Sequence, residues 1–122
     1  MEHHVTGTPE EIAWAAGVIE GDGYIYAGTE DRGWSTGRRH LTYIVSVAMT
    51  DLDIVERLKR VFGRGTLNGP YLYKSSLGNK PMYRWRVGAK RDVCHVIELI
   101  RPWLGLRRGE RADEVLLALY TT

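Results

Sequence analysis

At Gly21-Asp22-Gly23 the chain places a carboxylate between two residues without side chains. Carboxylate oxygens are good ligands for a hard divalent cation such as Mg²⁺. An aspartate between glycines is also a common turn, so the triplet alone leaves both readings open. The second chemical feature is basic. From Arg57 to Arg91 there are ten Lys or Arg and no acid, whereas residues 1–31 hold seven acids and no Lys or Arg. Net charge is only +2, yet this segregation allows a positive surface on a nearly neutral protein. A solvated basic face without a partner is equally compatible with it.

Other chemistries lack their residues. Cys94 is the single cysteine, which excludes an internal disulfide framework and a Cys-rich zinc site; on its helix it reads as a small buried hydrophobe. His3, His4, His40 and His95 have no metal-ligand spacing. Gly63-Arg64-Gly65 lacks the lysine and hydroxyl of a phosphate-binding loop, and nothing calls for an organic cofactor. No apolar run approaches the roughly 18–20 residues of a membrane span, and Met1-Glu2-His3-His4 does not open a secretory signal. The expectation is one soluble, intracellular domain over residues 1–122, long enough for one core.

The elements that must position Asp22 are readable on either side of it. Thr8-Pro9-Glu10-Glu11 predicts a helix start with Thr8 as N-cap and Glu11 closing a capping box. That helix carries Ile12, Ala13, Ala16 and Ile19 and is expected to end before residues 21–23. A short strand follows at 24–27, then a Gly/Ser/Thr/Arg-rich stretch at 28–40. Residues 41–49 alternate as a strand, with Leu41, Tyr43, Val45, Val47 and Met49 apolar and Thr42, Ile44, Ser46 and Ala48 opposite. Asp51 and its neighbours open a second helix that Gly63 stops. Strands at about 66–73 and 81–87 come next, the second setting Tyr83, Trp85 and Val87 against Met82, Arg84 and Arg86. A third helix from near Arg91 runs to Pro102, residues 103–106 connect, and a last helix spans Arg111 to Tyr120. Trp14, Trp85 and Trp103 read as core or interface residues.

With those elements in place, Ala15-Ala16-Gly17-Val18-Ile19-Glu20-Gly21-Asp22-Gly23 resembles the LAGLIDADG motif. The Ala-Gly pair, Ile19 and the closing Asp-Gly match outright. Ala15 and Val18 stand for leucines, Glu20 for the first aspartate, and Gly21 is a frequent variant. Arg101-Pro102-Trp103-Leu104-Gly105-Leu106-Arg107 resembles the family's Pro-aromatic-Leu-x-Leu-basic connector. The resemblance implies an α+β LAGLIDADG homing endonuclease fold, αββαββα, with a curved antiparallel DNA-binding sheet and an extra C-terminal helix. It also implies a Mg²⁺-dependent (or other divalent) double-strand break in DNA, and a role in intron or intein mobility. By that resemblance Asp22 and the Gly21 carbonyl hold the metal, a residue without a side chain at 21 leaves room for the phosphate, and Arg107 stabilises charge on it. Glu20 is structural. The family also places a water-positioning polar residue late in the second strand. Val47 stands nearest to that position, so Ser46 or Thr50 takes the task or the chain is a catalytically weak or inactive DNA- or RNA-binding module (a maturase or transcription regulator).

One motif per chain implies a homodimer packed through Ala13, Ala16 and Gly17 on a pseudo-palindromic double-stranded DNA site. The expected DNA face comprises Tyr24 and Tyr26, then Thr42, Ile44 and Ser46, then Asn68, Arg84 and Arg86, with Arg84 and Arg86 able to read guanine edges. Lys74 and Lys80 are expected at phosphates, and Arg32, Arg38 and Arg39 at flanking DNA.

Overall fold

The computed structural model describes residues 7–31, 39–73 and 80–121. Thr8 caps the first helix, α1 (Pro9–Asp22), as expected: its Oγ1 accepts from Glu11 N at 3.2 Å while Glu11 Oε1 accepts from Thr8 N at 2.9 Å. The backbone bond from Thr8 is the main reason the Glu11 carboxyl lies below the usual carboxylate range. One face of α1 buries Ile12, Ala15, Ala16 and Ile19. The helix does not end before the Gly-Asp-Gly triplet. It runs through Gly21 and Asp22, because the Gly23 N–H still reaches back to Ile19 O.

Two hairpins and three more helices follow. They are β1 (Gly23–Asp31), β2 (Arg39–Met49), α2 (Leu52–Phe62), β3 (Thr66–Tyr73), β4 (Lys80–Val87), α3 (Lys90–Ile100) and α4 (Leu106–Tyr120), with a 3₁₀ turn at Arg101–Trp103. The strands form one antiparallel sheet in the order β1-β2-β4-β3. The first hairpin is longer than alternation suggested. Residues 28–31 have poor strand propensity, but each pairs with a residue of 39–42, and the ladder overrides local preference. Gly63 ends α2 in the left-handed conformation, with φ of 67°.

The helices cover one face of the sheet. Tyr43, Val45 and Val47 of β2, with Trp85 and Val87 of β4, are buried against Val55, Leu58 and Phe62 of α2 and Val93, Val96, Ile97 and Ile100 of α3. Trp85 is fully buried, stacks on Phe62 at 5.3 Å between ring centroids, and donates from Nε1 to Arg64 O at 3.0 Å. Trp14 is half-buried beneath the Arg57 guanidinium at 3.9 Å, and Trp103 is exposed. Cys94 is half-buried, with its thiol 3.6 Å from the Tyr120 hydroxyl.

The last helix begins at Leu106, five residues before the expected Arg111. Gly105 and Gly109 hid this start by breaking the apolar period. Gly105 O accepts from Gly109 N at 2.8 Å, and a Cβ at Gly109 would lie 2.8 Å from the Arg101 guanidinium, which would have to shift to admit it. Arg101 in turn makes a two-pronged pair with Asp113, at 2.8 and 3.0 Å, tying the 3₁₀ turn to α4. Among the described residues no helix is long and apolar enough to cross a membrane.

Candidate nucleic-acid interface

The face of the sheet away from the helices is a groove of about 350 Å³ lined by Asp22, Tyr24, Ile44, Ser46, Ala48, Arg84 and Arg86. Strand register explains why these residues meet. Tyr24, Ser46, Arg86 and Thr66 form one row across all four strands. Ala48, Arg84 and Asn68 form the next row, and Asp22, one residue before the Gly23–Val47 pair, stands at its end. Alternation puts all of them on the side opposite Val45, Val47 and Trp85. A carboxylate therefore shares one groove with two arginine side chains.

Neighbours order several of these side chains. Tyr24 and Tyr26 stack at 5.7 Å, and the Arg111 guanidinium lies 5.7 Å from the Tyr26 ring. Arg84 lies over Tyr71 of β3 at 5.6 Å. Of the residues expected at this face, Asp22, Tyr24, Ile44, Ser46, Arg84 and Arg86 share the groove. Thr42 lies farther along the same face of β2, opposite Gly28; Asn68 pairs with Arg84, and Lys80 is exposed at the start of β4. Arg39 opens β2 opposite Asp31. Arg32, Arg38 and Lys74 lie outside the described residues.

Two expectations need correction. Ala16 offers no surface to a second copy: it is fully buried in the core of its own chain. The open small-residue row on α1 is instead Ala13, Gly17 and Gly21, spaced four apart, with Gly17 and Gly21 exposed. Val47 is 1% exposed and belongs to the core, so it has no access to the groove, which Ser46 does line.

The basic pair at the start of α4 divides its work. Arg107 is exposed. Arg108, to which sequence reasoning assigned no role, turns inward and donates to Glu20 O at 3.1 Å and Gly23 O at 2.6 Å. Glu20 Oε1 accepts from Gly105 N at 2.8 Å, and Arg111 Nε donates to Ile25 O at 3.0 Å.

No protein-family model and no curated protein matches the sequence. Solved structures do. The homing endonuclease I-CvuI, in complex with its target, superposes with a TM-score of 0.75 at 23% identity, over 92% of this chain and 67% of that one. I-TnaI, a homing endonuclease, gives 0.70 at 18% identity over 95% and 74%. I-CeuI, a group I intron-encoded homing endonuclease complexed with DNA, gives 0.74 at 16% identity over 97% and 57%. The chain is thus shorter than each of these proteins and lies almost wholly within their shared architecture. Four helices on one side of a β1-β2-β4-β3 antiparallel sheet, with the motif helix running into the first strand, make this the LAGLIDADG homing endonuclease fold.

Proposed function

We propose that the chain is a site-specific DNA endonuclease that works as a homodimer, cutting both strands of a pseudo-palindromic duplex with Mg²⁺ or another divalent cation, in the service of intron or intein mobility. The observation that carries this reading is the Asp22 carboxylate at one end of a groove floored by Arg84 and Arg86. β-Strands can read base edges from the major groove, and I-CvuI and I-CeuI were crystallised on DNA.

The donor set fits a hard cation only when shared between copies. Among the described residues no three His, Cys, Asp or Glu come together, so one chain supplies only the Asp22 carboxylate and the Gly21 carbonyl. Both are oxygen donors suited to Mg²⁺ or Ca²⁺, and I-CvuI complexes were obtained in the presence of each. A bound cation would polarise the scissile phosphate and supply hydroxide from bound water at neutral pH. The chain's own part is to hold that phosphate against Asp22, to place Arg107 toward developing charge, and to offer the Ser46 hydroxyl to a water in the groove.

Gly17 and Gly21 support the dimer. A Cβ at either position would meet nothing within 4 Å in the chain's own fold, so folding alone does not require glycine there. Close approach of a second α1 does. Trp103 and Leu106, 52% and 84% exposed, flank Gly105, whose N–H meets Glu20 near the end of that row. Gly17→Leu is expected to leave the circular dichroism spectrum unchanged and to weaken dimerisation at least about 30-fold. The added side chain enters a C2 interface twice, at about 1–3 kcal/mol each. An unchanged dimer constant by analytical ultracentrifugation would remove α1 from the interface.

A second reading is a DNA- or RNA-binding module of the same fold that no longer cuts, favoured by the single carboxylate that one chain brings to the groove. Incubating the protein with a randomised duplex library and Mg²⁺, then sequencing bound and cut ends, separates the two. Staggered cuts within a near-palindromic sequence support the endonuclease. Enrichment of one bound sequence without cutting replaces it with the binding module.

A further inference from the structure

The end of α1 is gripped from outside by one side chain. Arg108 Nε and Nη1 donate to the carbonyls of Glu20 and Gly23, at 3.1 and 2.6 Å, and these carbonyls bracket Gly21-Asp22. The Glu20 carbonyl lies in the last turn of α1, where carbonyls lack intrahelical donors, and the guanidinium ties it to the Gly23 carbonyl at the start of β1. Gly105 N anchors the Glu20 side chain at 2.8 Å.

Beyond the last turn of α1, closed by the Gly23 N–H on Ile19 O, the bracketed pair is exposed. Up to Ile19, α1 is held by its buried face, and from Gly23 onward β1 is held by its ladder with β2. Between them Gly21 has no side chain, a Cβ there would meet nothing beyond its own helix turn within 4 Å, and Asp22 is exposed in the groove. A planar guanidinium can hold both carbonyls at once, whereas an ammonium on a flexible stem holds one point.

We propose that Arg108 is the positioning residue for Asp22: by fixing the carbonyls on both sides, it sets where the Asp22 carboxylate and the Gly21 carbonyl stand to meet a divalent cation. This rests on the reading of Asp22 as the metal-holding carboxylate. Arg111, one turn on, grips Ile25 O at 3.0 Å outside the bracket and lies near Tyr26 of the DNA face, so Arg111→Met controls for a lost clasp between α4 and β1 and for any accompanying loss of DNA affinity.

The test is calorimetric titration of Ca²⁺ into the wild-type dimer on its selected duplex, repeated with Arg108→Met, Arg108→Lys, Arg111→Met and Asp22→Asn. Arg108→Met is expected to weaken Ca²⁺ binding about 10–100-fold, the usual cost of losing a group that orients a metal ligand. Metal-free DNA affinity should stay within about threefold, because Arg108 is not among the side chains that line the groove. Arg108→Lys should recover part of the loss, and Arg111→Met should show little of it. Ca²⁺ affinity that ignores Arg108, or that falls only in step with DNA affinity and Tm, overturns the proposal. If Arg108→Met does not fold, Arg108→Lys against Arg111→Met decides by the same comparison. Ca²⁺ binding that depends on Asp22 but not on Arg108 sinks this inference alone. Binding that ignores Asp22 sinks the metal reading and this inference with it.

Discussion

Asp22→Asn is expected to abolish cleavage while leaving the protein folded and bound to DNA. The amide keeps the shape of the carboxylate and removes its charge. Asp22 is exposed, so no buried partner is orphaned and Tm should not move. Cleavage should fall by about 10³-fold or more, because metal polarisation of a phosphate contributes several kcal/mol and each 1.4 kcal/mol or so is tenfold in rate. In EDTA the variant should bind its duplex at least as tightly as wild type, since a negative charge has been taken from a groove meant for phosphates. Single-turnover cleavage and filter binding on the same preparation measure both. Cutting within tenfold of wild type would remove Asp22 from the chemistry.

The second large effect is on affinity. Neutralising about six to ten phosphates per dimer should make binding fall about 10³ to 10⁵-fold between roughly 50 and 200 mM salt, through counterion release. A net charge of +2 spread evenly would predict far less. The difference comes from placement: Arg84 and Arg86 line the groove, and Lys80 is exposed at the start of the strand that carries them. A log–log slope near zero, by fluorescence anisotropy on the selected duplex, would show that the sheet face does not meet a phosphate backbone.

Much of this arrangement was legible because it is periodic or capped. The alternation of Tyr83, Trp85 and Val87 with Arg84 and Arg86 fixes which face of β4 is apolar, and the structure buries Trp85 and Val87. The Thr8–Glu11 box is a local code that forms as written. What escaped depends on contacts distant in sequence. Residues 28–31 become strand only because 39–42 pair with them. Within Arg107-Arg108 composition cannot say which residue turns inward, since neighbours on a helix point about 100° apart and the carbonyls that choose Arg108 lie more than 80 residues earlier. Ala16 and Gly17 pose the same difficulty: both are small, but one is buried in the core and the other opens to solvent.

The glycines of the motif also set an order of decay. At Gly23 a Cβ would fall 2.6 Å from Ile19 O, so any lineage that keeps the fold keeps this residue. Gly17 and Gly21 have no such intrachain constraint. In copies released from selection for cutting, positions 17 and 21 should drift first, toward better helix formers, while 23 stays fixed. The ratio of substitutions at these three sites among descendants would then serve as a clock for loss of activity, readable from genomes without assaying any of the proteins.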